Sequence, residues 1–215
     1  MKKWISLLLC LTLLLSLTAC GTGDAGETTV IATAEPAQTE PTQAESAPED
    51  GVYTVSTPDE FIEAIGSDRT IHVSGGTLDL STARSYGKDT GNEKCAWEEE
   101  FDGYQLVIHD VKNLTITGDG KVATEIATQP RYAQVLYLRS CENVALSGFT
   151  AGHTPEAGSC VGGVVYLEGC TGVSIRDVGL YGCGVIGVYT QNCRDVTVAN
   201  SDIYECSYQG VNFQD

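Results

Sequence analysis

The chain has 215 residues and carries 29 acidic side chains against 12 basic ones, which gives a formal charge of −17. This excess of negative charge makes nucleic acid, anionic lipid and unassisted anionic polysaccharide poor partners. Neutral glycans, and anionic glycans bridged by Ca²⁺, remain compatible with the charge.

The first nineteen residues have the parts of a secretory signal peptide: a basic start, an apolar run from Ile5 to Leu17, and small residues before Cys20. The run is shorter than the about 20 apolar residues of a membrane span. Residues 17–21, Leu-Thr-Ala-Cys-Gly, resemble the lipobox of bacterial lipoproteins. The resemblance implies that Cys20 is diacylated and anchors the exported protein to a membrane at the cell envelope. The alternative is an ordinary signal peptide that ends near a cysteine.

Residues 20–50 are rich in Ala, Thr, Glu, Pro and Gln, and they carry no Lys or Arg. Val30 and Ile31 are the larger apolar side chains in this stretch. Such a composition cannot bury enough surface to fold. The sequence therefore predicts a signal peptide over residues 1–19, a disordered acidic tether over 20–50 and one folded domain over 51–215.

A repeat with a period of 23 residues runs through the second half of the chain. The triplets Leu-Tyr-Leu, Val-Tyr-Leu, Val-Tyr-Thr and Val-Asn-Phe fall in the same register at residues 136–138, 165–167, 188–190 and 211–213. An insertion at 153–159 lengthens one interval to 29 residues. Apolar residues alternate inside each unit, which is the periodicity of strands and not of helices. Gly, Asn, Asp and Ser separate the strands, as tight corners require.

Three short strands per unit, stacked on copies of themselves, would form a solenoid. Over about residues 52–215 the pattern resembles the pectate-lyase-like family of right-handed parallel β-helices. The resemblance implies an all-β fold with three sheets and coils of about 23 residues. Residues 58–65 resemble that family's opening helix, with Thr57 and Glu60 as a capping box, and the helix would cover the exposed end of the coil. Residues 70–73 and 76–80 resemble its first strands.

The alternation inside the triplets directs Tyr137, Tyr166 and Tyr189 outward, so the sequence predicts a vertical stack of tyrosines on one outer sheet. Aromatic rings hold the apolar faces of sugars, and these three residues are therefore the candidate substrate-binding residues for a polysaccharide. The alternative is that the aromatic pairs only stabilise the sheet.

The candidate catalytic residues are His153, Arg176, Asp177 and Asp202. His153 lies in the insertion as a candidate general acid or base, and its Gly-His pair resembles a signature of polygalacturonase-type hydrolases. The alternative is that His153 is a surface or turn residue. The other three supply the residue types that pectate-lyase-like chemistry would use to bind Ca²⁺ and to provide a base. Their spacing selects none of them, and charge at corners and on the solvent face is the alternative.

Six cysteines fall into two columns, one of Cys141, Cys170 and Cys193 and the other of Cys160, Cys183 and Cys206. Packed thiols at the corners of the coil explain this spacing, because free cysteine behaves as a small buried apolar residue. Some disulfides are the alternative. No metal site is predicted, since neither a Cys-x-x-Cys nor a paired-His spacing occurs.

These features predict a lipid-anchored protein of the cell envelope that binds or processes extracellular polysaccharide. No cofactor is evident, and Ca²⁺ is the one that remains possible. If the protein is an enzyme, the resemblance implies a polysaccharide lyase or glycoside hydrolase. The alternative is a structural or adhesive surface protein without catalysis. A new coil begins at Gly210 shortly before Asp215, so we expect the domain to be incomplete at its C-terminal end.

Overall fold

The computed structural model describes residues 51–155, 161–182 and 185–215. The predicted signal peptide, Cys20 and the tether lie outside the described residues, as do Cys160 and Cys183. Within the described ranges, no helix is long and apolar enough to cross a membrane.

Short strands make up about half of the described residues, and they are joined by one short helix and a 3₁₀ turn at Leu80–Thr82. In chain order the elements are β1 Val52–Val55, α1 Pro58–Ala64, β2 Arg69–Val73, β3 Gly76–Asp79, β4 Cys95–Glu100, β5 Gly103–His109, β6 Lys112–Gly118, β7 Thr124–Thr128, β8 Leu136–Arg139, β9 Glu142–Ser147, β10 Thr150–His153, β11 Val165–Glu168, β12 Thr171–Arg176, β13 Gly179–Tyr181, β14 Ile186–Gln191, β15 Thr197–Ala199, β16 Asp202–Tyr204 and β17 Gln209–Gln214.

The strands form three sheets. Sheet A has the order β1-β2-β6-β9-β12-β15, sheet B the order β16-β13-β10-β7-β3, and sheet C the order β17-β14-β11-β8-β5-β4. From β2 onward the chain visits sheets A, B and C in turn. The strand pairs that join successive coils are parallel, whereas β4 pairs antiparallel with β5 at the edge of sheet C. The predicted three-sheet parallel β-helix is thereby confirmed, and its right-handed sense stays a prediction.

The register of sheet C is the one that the repeat predicts. Residues 165–168 pair with residues 136–139 on one side and with residues 188–191 on the other. The tyrosines of the three strands therefore lie directly opposite one another. A one-residue slip would turn every apolar side chain to the solvent, so the burial of one face fixes this register.

Apolar columns fill the inside of the coil. Ile116, Leu146 and Ile175 succeed one another along sheet A and are at most 1% exposed. Burial of such a side chain contributes about 1.5–3 kcal/mol. Because each inward side chain contacts its counterparts in the coils above and below, the coils stabilise one another.

Polar residues with positive φ recur at the corners of the coil, as the separators in the sequence indicate. Asn113 and Asn143 hold φ values of 54° and 55° at equivalent positions in successive coils. Their side chains continue along the coil axis, because Asn143 Nδ2 donates to Asn113 Oδ1 at 3.2 Å and Asn113 Nδ2 donates to Asp68 Oδ1 at 2.7 Å. Asn and Asp tolerate this left-handed conformation better than other side chains with a Cβ.

The predicted helix is present as α1 and ends one residue earlier than expected. Thr57 accepts a hydrogen bond from the backbone of Glu60, and the Glu60 side chain accepts one from the backbone of Thr57. Phe61 and Ile62 are buried and help to pack the helix against β1 and β2. The predicted capping box is therefore confirmed. That α1 covers the end of the coil stays a prediction.

Free thiols form a hydrogen-bonded column at the corner between sheets C and A. The backbone N–H of Cys141 donates to Cys170 Sγ at 3.4 Å, and that of Cys170 donates to Cys193 Sγ at 3.3 Å. Each thiol in turn donates to backbone carbonyls, as Cys170 Sγ does to Leu138 O at 3.4 Å. The thiols satisfy corner N–H groups without disulfides, and the cysteines of this column are free.

Cys141 and Cys170 are fully buried, whereas Cys206 is partly exposed. We expect N-ethylmaleimide to label Cys206 in the native protein, and Cys141 and Cys170 only after unfolding. Peptide mass spectrometry after timed labelling would measure the rates. Equal rates for Cys141 in the native and unfolded protein would contradict the packed column, and thiols that stay unlabelled in denaturant would indicate disulfides.

Candidate functional site

Tyr137, Tyr166 and Tyr189 form the predicted stack on the outer face of sheet C. Their ring centroids are 4.6 Å apart for the first pair and 5.0 Å for the second, with interplanar angles of 36° and 9°. These distances are close to the strand spacing of about 4.8 Å, because each tyrosine sits on its own strand. We call this set the tyrosine column.

The rings of the tyrosine column turn their faces toward one another along the coil axis. Nearly parallel rings touch at about 3.5–4.0 Å, so the 5.0 Å between Tyr166 and Tyr189 means that these rings are slipped sideways. Tyr166 and Tyr189 are partly exposed. Tyr137 is only 5% exposed. A sugar on this face would therefore meet Tyr166 and Tyr189 and not the ring of Tyr137.

A second outward column runs beside the tyrosines and accepts their hydroxyl protons. The three bonds run from Tyr137 Oη to Glu168 Oε2, from Tyr166 Oη to Gln191 Oε1 at 2.8 Å, and from Tyr189 Oη to Gln214 Oε1 at 2.7 Å. The hydroxyl oxygens of Tyr166 and Tyr189 keep their capacity to accept, and the two glutamines keep their amide N–H groups to donate. The two columns together present alternating acceptors and donors, repeated once per coil.

Arg139 lies at one end of these two columns. Its Nη1 and Nη2 donate to the two oxygens of Glu98 at 2.7 and 3.0 Å, and its Nε donates to Glu168 Oε2 at 2.9 Å. Nη2 also donates to Tyr137 Oη at 2.8 Å. The bidentate pair with Glu98 fixes the guanidinium in one plane, because both partners are planar forks.

We call Arg139 and its partners Glu98, Glu168 and Tyr137 the Arg139 cluster. Hydrogen bonds within it shift the pKa values of Arg139, Glu168 and Tyr137. Hydrogen bonds to Glu98 raise the pKa of Arg139, and the hydroxyl of Tyr137 lowers the pKa of the Glu168 carboxyl. Burial, followed by the bond to Glu168, raises the pKa of Tyr137. Arg139 is consequently a protonated donor with every guanidinium nitrogen engaged. It can position Tyr137 and Glu168 but is not available as a base.

His153 is not in the insertion loop but is the last residue of β10, where it is 1% exposed. Its Nε2 lies 2.9 Å from Ala133 O, and because a carbonyl only accepts, Nε2 carries the proton. Nδ1 is then a buried acceptor without a partner among the described residues. The geometry makes His153 an interior side chain that holds the preceding corner.

The other three catalytic candidates do not converge. Arg176 ends β12 on sheet A and donates to Ser174 Oγ at 3.0 Å. Asp177 lies at the next corner with φ 54°, and Asp202 begins β16 on sheet B. None of the three lies on sheet C, so the structure does not bring them to the tyrosine column.

Ca²⁺ takes six to eight oxygen ligands in proteins. Over the described ranges, no group of three or more His, Cys, Asp or Glu side chains is arranged to hold a metal ion. The involvement of Ca²⁺ stays a prediction.

The roles of Arg139 and Glu98 were missed by reasoning from the sequence. The sequence held a signal for Arg139, because a polar residue directly follows each triplet, at positions 139, 168, 191 and 214. Glu98 had no such signal. It lies on β4, which is outside the repeat and reaches sheet C through an antiparallel hairpin.

No known protein family matches the chain, and no curated protein matches its sequence. Among solved structures, a pectate lyase from Paenibacillus sp. 0602 is similar to it, with 12% sequence identity and a TM-score of 0.48. The match covers 69% of this chain and 36% of that structure. A similarity of this size assigns neither an activity nor a substrate to this chain.

Burial lowers the pKa of His153 below its ordinary value of 6.5. The unfolded chain therefore binds a proton at a higher pH than the folded chain does, and the free energy of unfolding should fall as the pH drops below about 6.5. We expect His153→Gln to reduce this fall between about pH 7 and pH 5, as measured by urea unfolding at several pH values.

The matched control is His109→Gln, which removes a histidine whose side chain is 30% exposed. It should lower the free energy of unfolding at neutral pH less than His153→Gln does, because it removes less buried surface. An unchanged pH dependence in His153→Gln would contradict the interior role of His153.

Proposed function

We propose that this protein binds extracellular polysaccharide along the outer face of sheet C. The observation that carries the proposal is the row of tyrosine hydroxyls and glutamine amides, in which the same pair of groups recurs in successive coils. A polymer also repeats its hydroxyl groups along its length. A repeating row can therefore bind it through several equivalent weak contacts.

The contacts would divide between the two columns. Sugar hydroxyls would donate to the oxygens of Tyr166 and Tyr189 and accept from the amides of Gln191 and Gln214. The exposed ring edges and faces would pack against the C–H groups of the sugar. The Arg139 cluster would hold the row rigid at one end, because its guanidinium is fully bonded.

Charge favours a neutral polysaccharide. Glu98 and Glu168 oppose the single guanidinium of Arg139 on this face, and the whole chain carries −17. An anionic polysaccharide would need a bridging cation such as Ca²⁺. Binding assays with and without Ca²⁺ would distinguish the two classes.

The proposal is binding and not turnover, because the catalytic candidates lie apart from the row. Degradation of a retained polysaccharide would show itself as new reducing ends, or as absorbance from unsaturated products. Such products would establish a glycoside hydrolase or a polysaccharide lyase. Retention of no glycan at all would favour a structural or adhesive surface protein.

We expect Tyr166→Ala and Tyr189→Ala together to reduce polysaccharide retention in affinity electrophoresis by about tenfold, which corresponds to a loss of about 1.4 kcal/mol of binding free energy with the two rings. The experiment screens plant, host and bacterial polysaccharides.

The control is Tyr53→Ala, which removes a tyrosine from β1 on sheet A. It should leave retention unchanged. Equal retention by the double variant and the unmodified protein would contradict the proposed site.

The proposal also places the protein at the bacterial cell envelope, anchored through lipid on Cys20. It is supported by the lipobox-like residues 17–21 and the acidic stretch that follows them. The stretch 20–50 would act as a tether that holds the coil away from the membrane.

In cells that process lipoproteins, we expect Cys20→Ser to move the protein from the detergent phase to the aqueous phase in Triton X-114 partition, because stable anchoring requires the acyl chains. The unmodified protein should stay in the detergent phase. Its recovery from the aqueous phase would contradict the anchor.

A further inference from the structure

A groove lies on sheet B, whereas the tyrosine column lies on sheet C. This open groove of about 520 Å³ runs across β7, β10 and β13. The loop that carries Lys121 and Val122 forms one wall, and the rings of Tyr181 and Tyr204 form the other. Gly179 lies opposite both Thr150 and Asp202 in the register. Thr150 and Glu125 lie between the two walls and line the groove.

Hydrogen-bond acceptors dominate the lining. Glu125 accepts from Tyr181 Oη at 2.6 Å and from Thr77 Oγ1 at 2.7 Å. These two bonds fix its carboxylate and leave further lone pairs, since an ionised carboxylate accepts about four hydrogen bonds. Glu205 adds a second carboxylate beside Tyr204.

Lys121 supplies the ammonium group of this lining, and it is already bound. Its Nζ lies 2.6 Å from Asp202 Oδ2, and the side chains of Lys121 and Asp202 are 35% and 71% exposed. The pair spans from the loop before β7 to β16. Lys121 therefore neutralises Asp202 and leaves Glu125 and Glu205 without a cation.

The rings on the opposite wall are more open than those of the tyrosine column. Tyr181 and Tyr204 have centroids 5.9 Å apart at 24°, and Tyr204 is 45% exposed. An exposed ring face next to a carboxylate attracts cations through the ring quadrupole and packs against sugar C–H groups.

We propose that this groove binds an oligosaccharide that carries primary ammonium groups, such as a chain of glucosamine units. The ammonium groups bind Glu125 and Glu205, and the sugar rings pack against Tyr204. A neutral sugar would leave the carboxylates without a counter-charge, and an anionic one would be repelled. The site is independent of the glycan face on sheet C, because the two surfaces belong to different sheets.

Calorimetric titration with a glucosamine hexamer at about pH 6, below the ordinary pKa of an amine, tests the proposal. We expect Glu125→Gln to weaken binding about tenfold, the effect of one lost charge-assisted contact. Lys121→Met should tighten binding about threefold or more, because it frees Asp202 while keeping the length of the side chain. The second variant remains informative if the first fails to fold.

The matched controls lie on sheet A, where Lys112 pairs with Glu142 at 2.9 Å. Lys112→Met and Glu142→Gln make the same changes in net charge as the groove variants, and binding should stay within about twofold of the unmodified protein. Equal effects in the control and groove variants would mean nonspecific attraction to an acidic protein, and would overturn the proposal.

Two further ligands separate charge from sugar. The N-acetylated hexamer has no ammonium groups and should not bind the groove, whereas spermidine carries ammonium groups without sugar rings and should bind more weakly than the glucosamine hexamer. Binding of the N-acetylated hexamer that depends on Glu125 would overturn the role of the charge. Spermidine binding as tight as that of the hexamer would overturn the role of the sugar.

Discussion

Parallel, in-register stacking of coils is the constraint on which the rest of the structure depends. It places each residue about 4.8 Å from the residue at the same position in the next coil. A residue type can recur in a column only if it interacts favourably with itself. Aliphatic side chains do so inside the coil, thiols and asparagines do so at the corners through hydrogen bonds, and tyrosines do so on the outside through offset stacking.

Charged residues cannot obey the same rule, because like charges at this spacing repel. The outward column of sheet C accordingly reads Arg139, Glu168, Gln191 and Gln214, with opposite charges as neighbours and amides beyond them. On sheet B one column separates its acidic residues by threonine and glycine. It consists of Thr77, Glu125, Thr150, Gly179 and Asp202. The outer columns depart from strict repetition, and the departures produce both surfaces to which we assign ligands.

The two surfaces differ in how their polar groups are used. On sheet C the tyrosine hydroxyls, the glutamines and Arg139 bond mainly to one another, which leaves a regular row of moderate acceptors and donors. On sheet B the aromatic wall is more open, and within the described part of the chain two carboxylates have no cationic partner. A rigid coil of this kind can therefore carry distinct ligand chemistries on different faces, since each sheet presents its own columns.

The resemblance of residues 58–65 to an opening helix predicted α1. The 23-residue period, the alternation inside each triplet and the corner residues predicted the three strands of each coil and the register of the tyrosines. These features are local and repeated, so each copy supports the same interpretation. The folded structure was needed to find the contacts between the repeat and residues outside it, such as those of Arg139 with Glu98 and of Asp202 with Lys121. It also placed His153 inside the coil. β4 and the loop before β7 lie outside the repeat, so no recurring pattern in the sequence gives the positions of their side chains. Those positions depend on which strands lie next to them in the folded chain.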